Sequence, residues 1–152
     1  MPIRIAHPTD FPAIAEIWNA VIRDTDLTFT TIEKTADDLA NTPILVTGGN
    51  RIDGFATYAP FRTGPGYART AELSIYISPS AQRGGLGTSL LTALEKLAGK
   101  QGIHSMIAGI AAANTAAIAF HAAQGYENVG LLPEVGWKNG AWHDLILMQK
   151  LL

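Results

Sequence analysis

A mixed β-sheet flanked by helices on both faces, an α/β (α+β) fold in one domain spanning residues 1–152, is what this sequence predicts. Three observations predict it. Short β-rich runs joined by turns come first along the chain, which reads as antiparallel hairpins. Strands that alternate with helical patterns follow, which adds helices to the faces of the sheet. The length of 152 residues with 47% hydrophobic side chains suffices for one buried core.

Each element has its own signal. Ile3 and Ile5 alternate with polar neighbours and mark a short first strand. Thr9-Asp10 caps a helix with Pro12 in its first turn, and Ile14, Ile17, Trp18 and Val21 recur on its buried face. Thr35 and Asp38 suit the cap of a second, shorter helix. Ile44–Val46 and Phe55–Tyr58 are strand runs around the Gly48-Gly49-Asn50 hairpin signal. Residues 60–66 form a loop, and 70–77 the next strand. A helix then carries Leu86, Leu90, Leu94 and Leu97 on one stripe, with Leu91 beside it, until Gly99 and Gly102 stop it. Residues 105–110 are an apolar strand. Asn114 opens a helix through Gln124, with Gly125 beyond its end. Residues 129–132 and 145–151 are closing strands around a turn at Lys138-Asn139-Gly140.

Composition removes several function classes. Charged residues make up 16% of the chain and the formal net charge is -2, unlike a nucleic-acid binder or a disordered tail. The absence of cysteine excludes disulfides, thiolate nucleophiles and Cys-ligated metals. His7, His104 and His143 are scattered without acidic neighbours at ligand spacing, so no metal is expected. The N-terminal segment lacks the apolar core of a secretion signal and no run approaches a membrane span, so a cytoplasmic domain without membrane partners is expected.

The segment from Ser74 to Leu91 carries the chemistry. A strand ends in Ser78-Pro79, and a turn of Gln82, Arg83, Gly84, Gly85, Leu86 and Gly87 leads into a helix through Thr88 and Ser89. Such a turn directs backbone N–H groups at one point beside the positive end of a helix dipole, which suits a phosphate or pyrophosphate. Gly85 and Gly87 have no side chain to block phosphate oxygens, Arg83 adds charge, and Thr88 and Ser89 add hydroxyls. The motif is not a P-loop, because no Gly-Lys-Ser/Thr follows. Nor is it a dinucleotide-binding fingerprint, because position 90 is Leu and the turn is central in the chain.

Gln82-Arg83-Gly84-Gly85-Leu86-Gly87 resembles the pyrophosphate turn of the GNAT superfamily of N-acetyltransferases, and the likeness continues across the chain. Thr28-Phe29, residues 54–62, Thr70-Ala71-Glu72 with its strand, residues 114–126 and residues 135–144 resemble the phosphinothricin acetyltransferase branch, which acts on methionine sulfoximine and related amino acids. Two positions depart from the branch: Leu73 stands where many members have a polar residue or histidine, and Ala68 where several have arginine. The resemblance implies the GNAT fold and acetyl-CoA as co-substrate. It implies that the backbone at Ile75, Tyr76 and Ile77 bonds the pantetheine arm, and that Asn114, also a natural helix N-cap, contacts that arm.

Glu72, in an otherwise apolar strand, is the candidate base, because partial desolvation raises a carboxyl pKa toward the working pH. The alternative is a structural glutamate paired with Arg69. His121 lies two turns after Asn114 on one helix face, where the resemblance places a group near the cofactor sulfur. Acid, second base and helix-surface residue remain open for it. Tyr126 reads as core packing. Arg62 is the candidate for a substrate carboxylate, with Arg69 second, and Phe29 and Tyr67 are candidates for an apolar wall. Trp137 and Trp142 read as exposed loop aromatics at an interface, and the branch implies a homodimer.

The expected activity is direct acetyl transfer in a ternary complex to the α-amine of a small amino acid or analogue. The alternatives are acetylation of a peptide or protein N-terminus, and a non-catalytic acyl-CoA-binding domain.

Overall fold

The computed structural model describes residues 2–82 and 84–152. Among these, one sheet runs in the order β1-β2-β3-β4-β5-β7-β6. Its strands are β1 (Ile3–Ile5), β2 (Ile44–Thr47), β3 (Gly54–Pro60), β4 (Thr70–Ile77), β5 (Ser105–Ala111), β6 (Glu127–Lys138) and β7 (Ala141–Leu151). The α-helices are α1 (Phe11–Asp24), α2 (Ala36–Leu39), α3 (Leu86–Lys100) and α4 (Thr115–Ala123). The sheet is mixed and helices cover both faces, as the sequence pattern predicts. Only β4 and β5 pair in parallel; the other neighbours are antiparallel. A parallel pair needs a crossover, and α3 supplies it.

Strand alternation divides the core between the two faces. On one face Leu90, Leu91, Leu94 and Ala98 of α3 pack on Ala71, Leu73, Met106 and Ala108 of the sheet, with Ala117, Ile118 and Phe120 of α4 beside them. On the other face Ile14 of α1 and Leu39 of α2 pack on Ile44, Val46 and Phe55, with Trp18 and Tyr76 adjacent. In β4, then, Ala71, Leu73, Ile75 and Ile77 face α3, while Glu72, Ser74 and Tyr76 alternate to the α1 face.

Several expectations need correction. The deeply buried residues of α1 are Ile14 and Ile22, while Ile17, Trp18 and Val21 are only partly covered. Ile17 and Trp18 pack against the outside of the core on that face, and Val21 borders an open cleft. Helix α3 continues through Gly99, and the turn falls at Gly102, whose φ is +90°. The two closing strands are much longer than the sequence suggests, at 12 and 11 residues. They form a hairpin around Asn139 and Gly140, whose positive φ values of 52° and 74° suit a tight two-residue turn. Trp137 and Trp142 are therefore strand residues directly opposite one another, with ring centroids 4.7 Å apart, and not loop aromatics.

One detail of register creates the site. The β4–β5 pairing runs from Thr70↔Ser105 only to Leu73↔Ala108. Beyond it β4 stays with β3 as far as Ile77, and β5 stays with β7 as far as Ala111. The sheet splits between Ser74–Ile77 and Gly109–Ala111.

Candidate active site

The split opens into a cleft of about 830 Å³. Its walls include Ser74, Ile75, Tyr76 and Ile77 of β4, Gly109, Ile110 and Ala111 of β5, Ala117 and His121 of α4, and Asn114 just before that helix. Gln82, Gly85, Leu86, Gly87 and Thr88 close one end. Ser74–Ile77 therefore presents a strand edge without a β5 partner, a template for hydrogen bonds to an extended ligand.

The glycine turn has the backbone geometry of an anion cradle. Gly84 and Gly85 have φ of +117° and +79°, and Gly85 is the N-cap of α3. The first N–H groups of a helix have no intrahelical acceptor, and no amide from Gly84 to Thr88 donates to the backbone of another described residue. Ser89 differs from its expected role: its amide is spent on the Gly85 carbonyl at 3.1 Å, and it does not line the cleft. Gly84 also lies outside the lining. Gln82 borders the cleft and its side-chain amide donates to the Ile77 carbonyl at 3.4 Å. Arg83 lies outside the described residues.

Glu72 is half-buried in the cleft, and burial raises its carboxyl above the ordinary value of 4.5. Among the described residues it joins no ion pair, and the Arg69 guanidinium instead donates to the Gly102 carbonyl at 3.4 Å. Space for the carboxylate comes from Gly109, where a β-carbon would stand 2.8 Å from Glu72 Oε2.

Asn114 caps α4 by accepting from the Ala117 amide at 3.2 Å. Two turns on, His121 is 4% exposed, which removes the helix-surface reading. Its Nδ1 lies 2.8 Å from the Ala117 carbonyl, so Nδ1 must carry hydrogen and donate it. Nε2 is buried and has no partner among the described residues. Burial pulls the imidazole pKa below its ordinary value, which favours the neutral ring with a bare Nε2 lone pair. Tyr126 is core, as expected. It meets His121 edge-on at 5.3 Å and donates to Glu95 at 2.8 Å, and burial raises its pKa.

The substrate candidates separate. Phe29 lines the cleft with Val21, Leu27, Thr28 and Leu145. Arg62, Tyr67 and Arg69 do not line it: Arg62 is exposed and sits 5.6 Å over the Tyr67 ring, and Arg69 is held at the α3–β5 connection. The chain path explains this, because the loop before β4 lies at the paired end of the β4–β5 ladder and the split lies at the other end.

Residues 3–147 match the family described as acetyltransferase (GNAT) domain. This chain belongs to the GNAT acetyltransferase family. It is 36% identical to the L-methionine sulfoximine/L-methionine sulfone acetyltransferase of Pseudomonas aeruginosa, over 97% of this chain and 92% of that protein. The crystal structure of a GNAT superfamily phosphinothricin acetyltransferase from Sinorhizobium meliloti in complex with AcCoA is similar at a TM-score of 0.91, with 30% identity over 99% of this chain and 88% of that one. The structure of a ribosomal-protein-alanine N-acetyltransferase from Brucella melitensis is similar at a TM-score of 0.92, with 36% identity and complete coverage of both chains.

Acetyl-CoA is the co-substrate of this GNAT enzyme. The chain's own groups fit it: a glycine turn for the diphosphate, a free strand edge for the amide-bearing arm, and an unpartnered polar nitrogen on the cleft wall. Among the described residues no cluster of His, Asp or Glu could hold a metal ion, and no helix is long and apolar enough to cross a membrane. One site residue and one buried residue outside the lining escaped the sequence reading. Gly109 had a signal, since an isolated glycine in a strand often marks a close approach. Lys138 had none, because a lysine beside Asn-Gly reads as turn surface, yet it is 3% exposed.

Proposed function

We propose that this enzyme transfers the acetyl group of acetyl-CoA directly to the α-amine of a small amino acid or analogue of the methionine sulfoximine or phosphinothricin type, and that residues 1–152 form one such domain. The observation that carries this reading is the Glu72 carboxylate, half-buried in the cleft beside the split of the sheet and in no ion pair among the described residues, with Phe29 on the same cleft wall. The similarity to enzymes described as acting on these amino acid analogues supports the substrate class.

Acetyl-CoA supplies the acetyl group as a thioester, and its sulfur departs as coenzyme A. Glu72 accepts the ammonium proton, directly or through a water, so that the amine nitrogen has a lone pair with which to attack. The raised carboxyl pKa makes it a better proton acceptor near neutral pH. Backbone groups of Ile75, Tyr76 and Ile77 hold the extended arm as an added strand, and an N–H on that edge stabilises developing negative charge on the acetyl oxygen. Amides of Gly85, Leu86, Gly87 and Thr88 hold the diphosphate, joined by the Thr88 hydroxyl and, from sequence alone, Arg83. Asn114 orients the arm from the helix cap. His121 is in α4, on the α3 face of the sheet and away from Glu72. Its bare Nε2 serves as a second proton acceptor, because an acid role needs a doubly protonated ring that burial opposes. The absence of cysteine leaves no thiol to carry the acetyl group, which favours the direct path.

Val21, Leu27, Phe29 and Leu145 give the acceptor an apolar wall that suits a methionine-like side chain. A homodimer fits the edge strand β6, which exposes Val129, Leu131, Val135 and Trp137 along an unpaired side. A second reading, acetylation of an N-terminal alanine, is favoured by the likeness to the Brucella structure. Thiol release from acetyl-CoA across free amino acids, L-methionine sulfoximine, phosphinothricin and alanyl peptides tests both. The expected order puts a free amino acid analogue first in kcat/KM. A response confined to peptides replaces the substrate reading, and no response to any amine overturns catalysis.

A further inference from the structure

We propose that Lys138 is a positioning residue that fixes the acceptor wall Leu27–Phe29 against the cleft. This rests on the amino acid acetyltransferase reading for its substrate but not for its geometry. The Lys138 side chain is buried, and its ammonium donates 2.7 Å bonds to two carbonyls, Ile22 O and Thr28 O. Ile22 belongs to the last turn of α1, where carbonyls lack helical partners and the dipole favours a cation. Thr28 lies between Leu27 and Phe29, and all three border the cleft. One ammonium therefore joins the end of α1, the wall segment and the tip of the β6–β7 hairpin.

Neighbouring contacts act on the same segment. The Asn139 side-chain amide donates to the Asp26 carboxylate. The Phe29 ring packs on the bare α-carbon of Gly136 and stacks on His143 at 5.5 Å, and the His143 Nε2 lies 2.9 Å from the Lys138 carbonyl. Between α1 and α2 the chain has no strand or helix of its own to hold it. Lys138 joins no ion pair among the described residues. Burying an ammonium with two carbonyls is a poor way to gain stability compared with an apolar side chain. Its geometric effect is specific, because it ties the carbonyl between Leu27 and Phe29, two lining residues of the cleft, to the end of α1.

The test is Lys138→Met, which keeps an unbranched side chain, one atom shorter, and removes the donors. Steady-state kinetics with acetyl-CoA and L-methionine sulfoximine are expected to give an acceptor KM raised about tenfold, with the acetyl-CoA KM within about twofold. Hydrogen exchange of amides 25–30 is expected to accelerate while β4 and β5 keep their protection. Equal changes in both KM values, or unchanged exchange over 25–30, overturn the proposal. If Lys138→Met does not fold, nitrogen-15 NMR of the wild-type Lys138 ammonium serves instead: slowly exchanging Nζ protons coupled to the Ile22 and Thr28 carbonyls are expected, and a rapidly exchanging ammonium without those couplings overturns the proposal. If the wild-type enzyme ignores methionine sulfoximine, the substrate reading fails, while the exchange result still decides the role of Lys138.

Discussion

The Glu72 carboxylate lies over the bare α-carbon of Gly109, two residues past the point opposite it on the neighbouring parallel strand, and a methyl group built there would stand 2.8 Å from Oε2. An alanine at 109 must therefore push the carboxylate off its position. Gly109→Ala is expected to lower kcat about a hundredfold, because small displacements of a reacting group cost that much. Acetyl-CoA affinity by calorimetry is expected to hold. Wild-type kcat in a folded Gly109→Ala enzyme would separate Glu72 from the chemistry.

Glu72→Gln is expected to reduce kcat by about 10² to 10⁴. A base must be deprotonated to act, so wild-type kcat/KM rises with pH through a value above 4.5, and the variant loses that limb. The sign for stability is opposite. A carboxyl pKa raised by folding means the folded protein holds its proton after the unfolded chain has released it. Its stabilising contribution is present below 4.5 and fades as pH rises through the folded value. Thermal melts at neutral pH are expected to show Glu72→Gln more stable than wild type, a cost of function that Glu72 imposes.

His121 is expected to be the Nδ1–H tautomer at neutral pH, with Nε2 bare, which nitrogen-15 NMR of the ring reads directly. Its folded pKa lies below the ordinary 6.5. The unfolded chain takes up the proton first as pH falls, so its contribution is present above 6.5 and is lost below it. Melting of His121→Phe is expected to depend less on pH between 6.5 and 5 than melting of wild type. A proton on Nε2 in the resting enzyme would reverse the assignment to an acid.

Gly85 holds a left-handed conformation at the N-cap of α3. Gly85→Ala forces about 1–2 kcal/mol of backbone strain onto the turn. The acetyl-CoA KM is expected to rise about tenfold, with kcat at saturation much less affected. An unchanged acetyl-CoA KM would take the diphosphate away from this turn.

Trp137 and Trp142 are both more than half exposed on paired strands at the sheet edge. Trp137→Lys is expected to convert a dimer to a monomer in light scattering coupled to size exclusion, because a charge at the centre of an apolar contact is left unpaired. A wild-type monomer, or a dimer indifferent to the substitution, refutes this interface.

How much could be read in advance depended on the range of each signal. The Thr35–Asp38 cap, the 70–77 strand and the glycine turn declare themselves within a few residues, through hydrogen-bonding side chains, apolar alternation and missing β-carbons. Glu72 was legible because a lone carboxylate in an apolar strand needs a reason. The closing hairpin was read too short, since the Leu132–Gly136 bulge, with Glu134 at positive φ and its amide on Asp144, breaks the alternation that marks a strand. Arg62 and Arg69 were natural partners for a carboxylate by charge alone, and charge says nothing about which end of a strand a loop occupies.

From the residues alone came the mixed sheet, the glycine turn before α3, the lone carboxylate of Glu72 in its apolar strand and the cap at Asn114, because each depends on local backbone preference or on chemistry carried by one side chain. Only the folded chain decided where β4 leaves β5, that Gly109 makes room for Glu72, which nitrogen of His121 is bare, and that Lys138 is an interior anchor. Those facts are distances between segments up to 116 residues apart, and such distances are set by packing across the sheet, which no local pattern encodes.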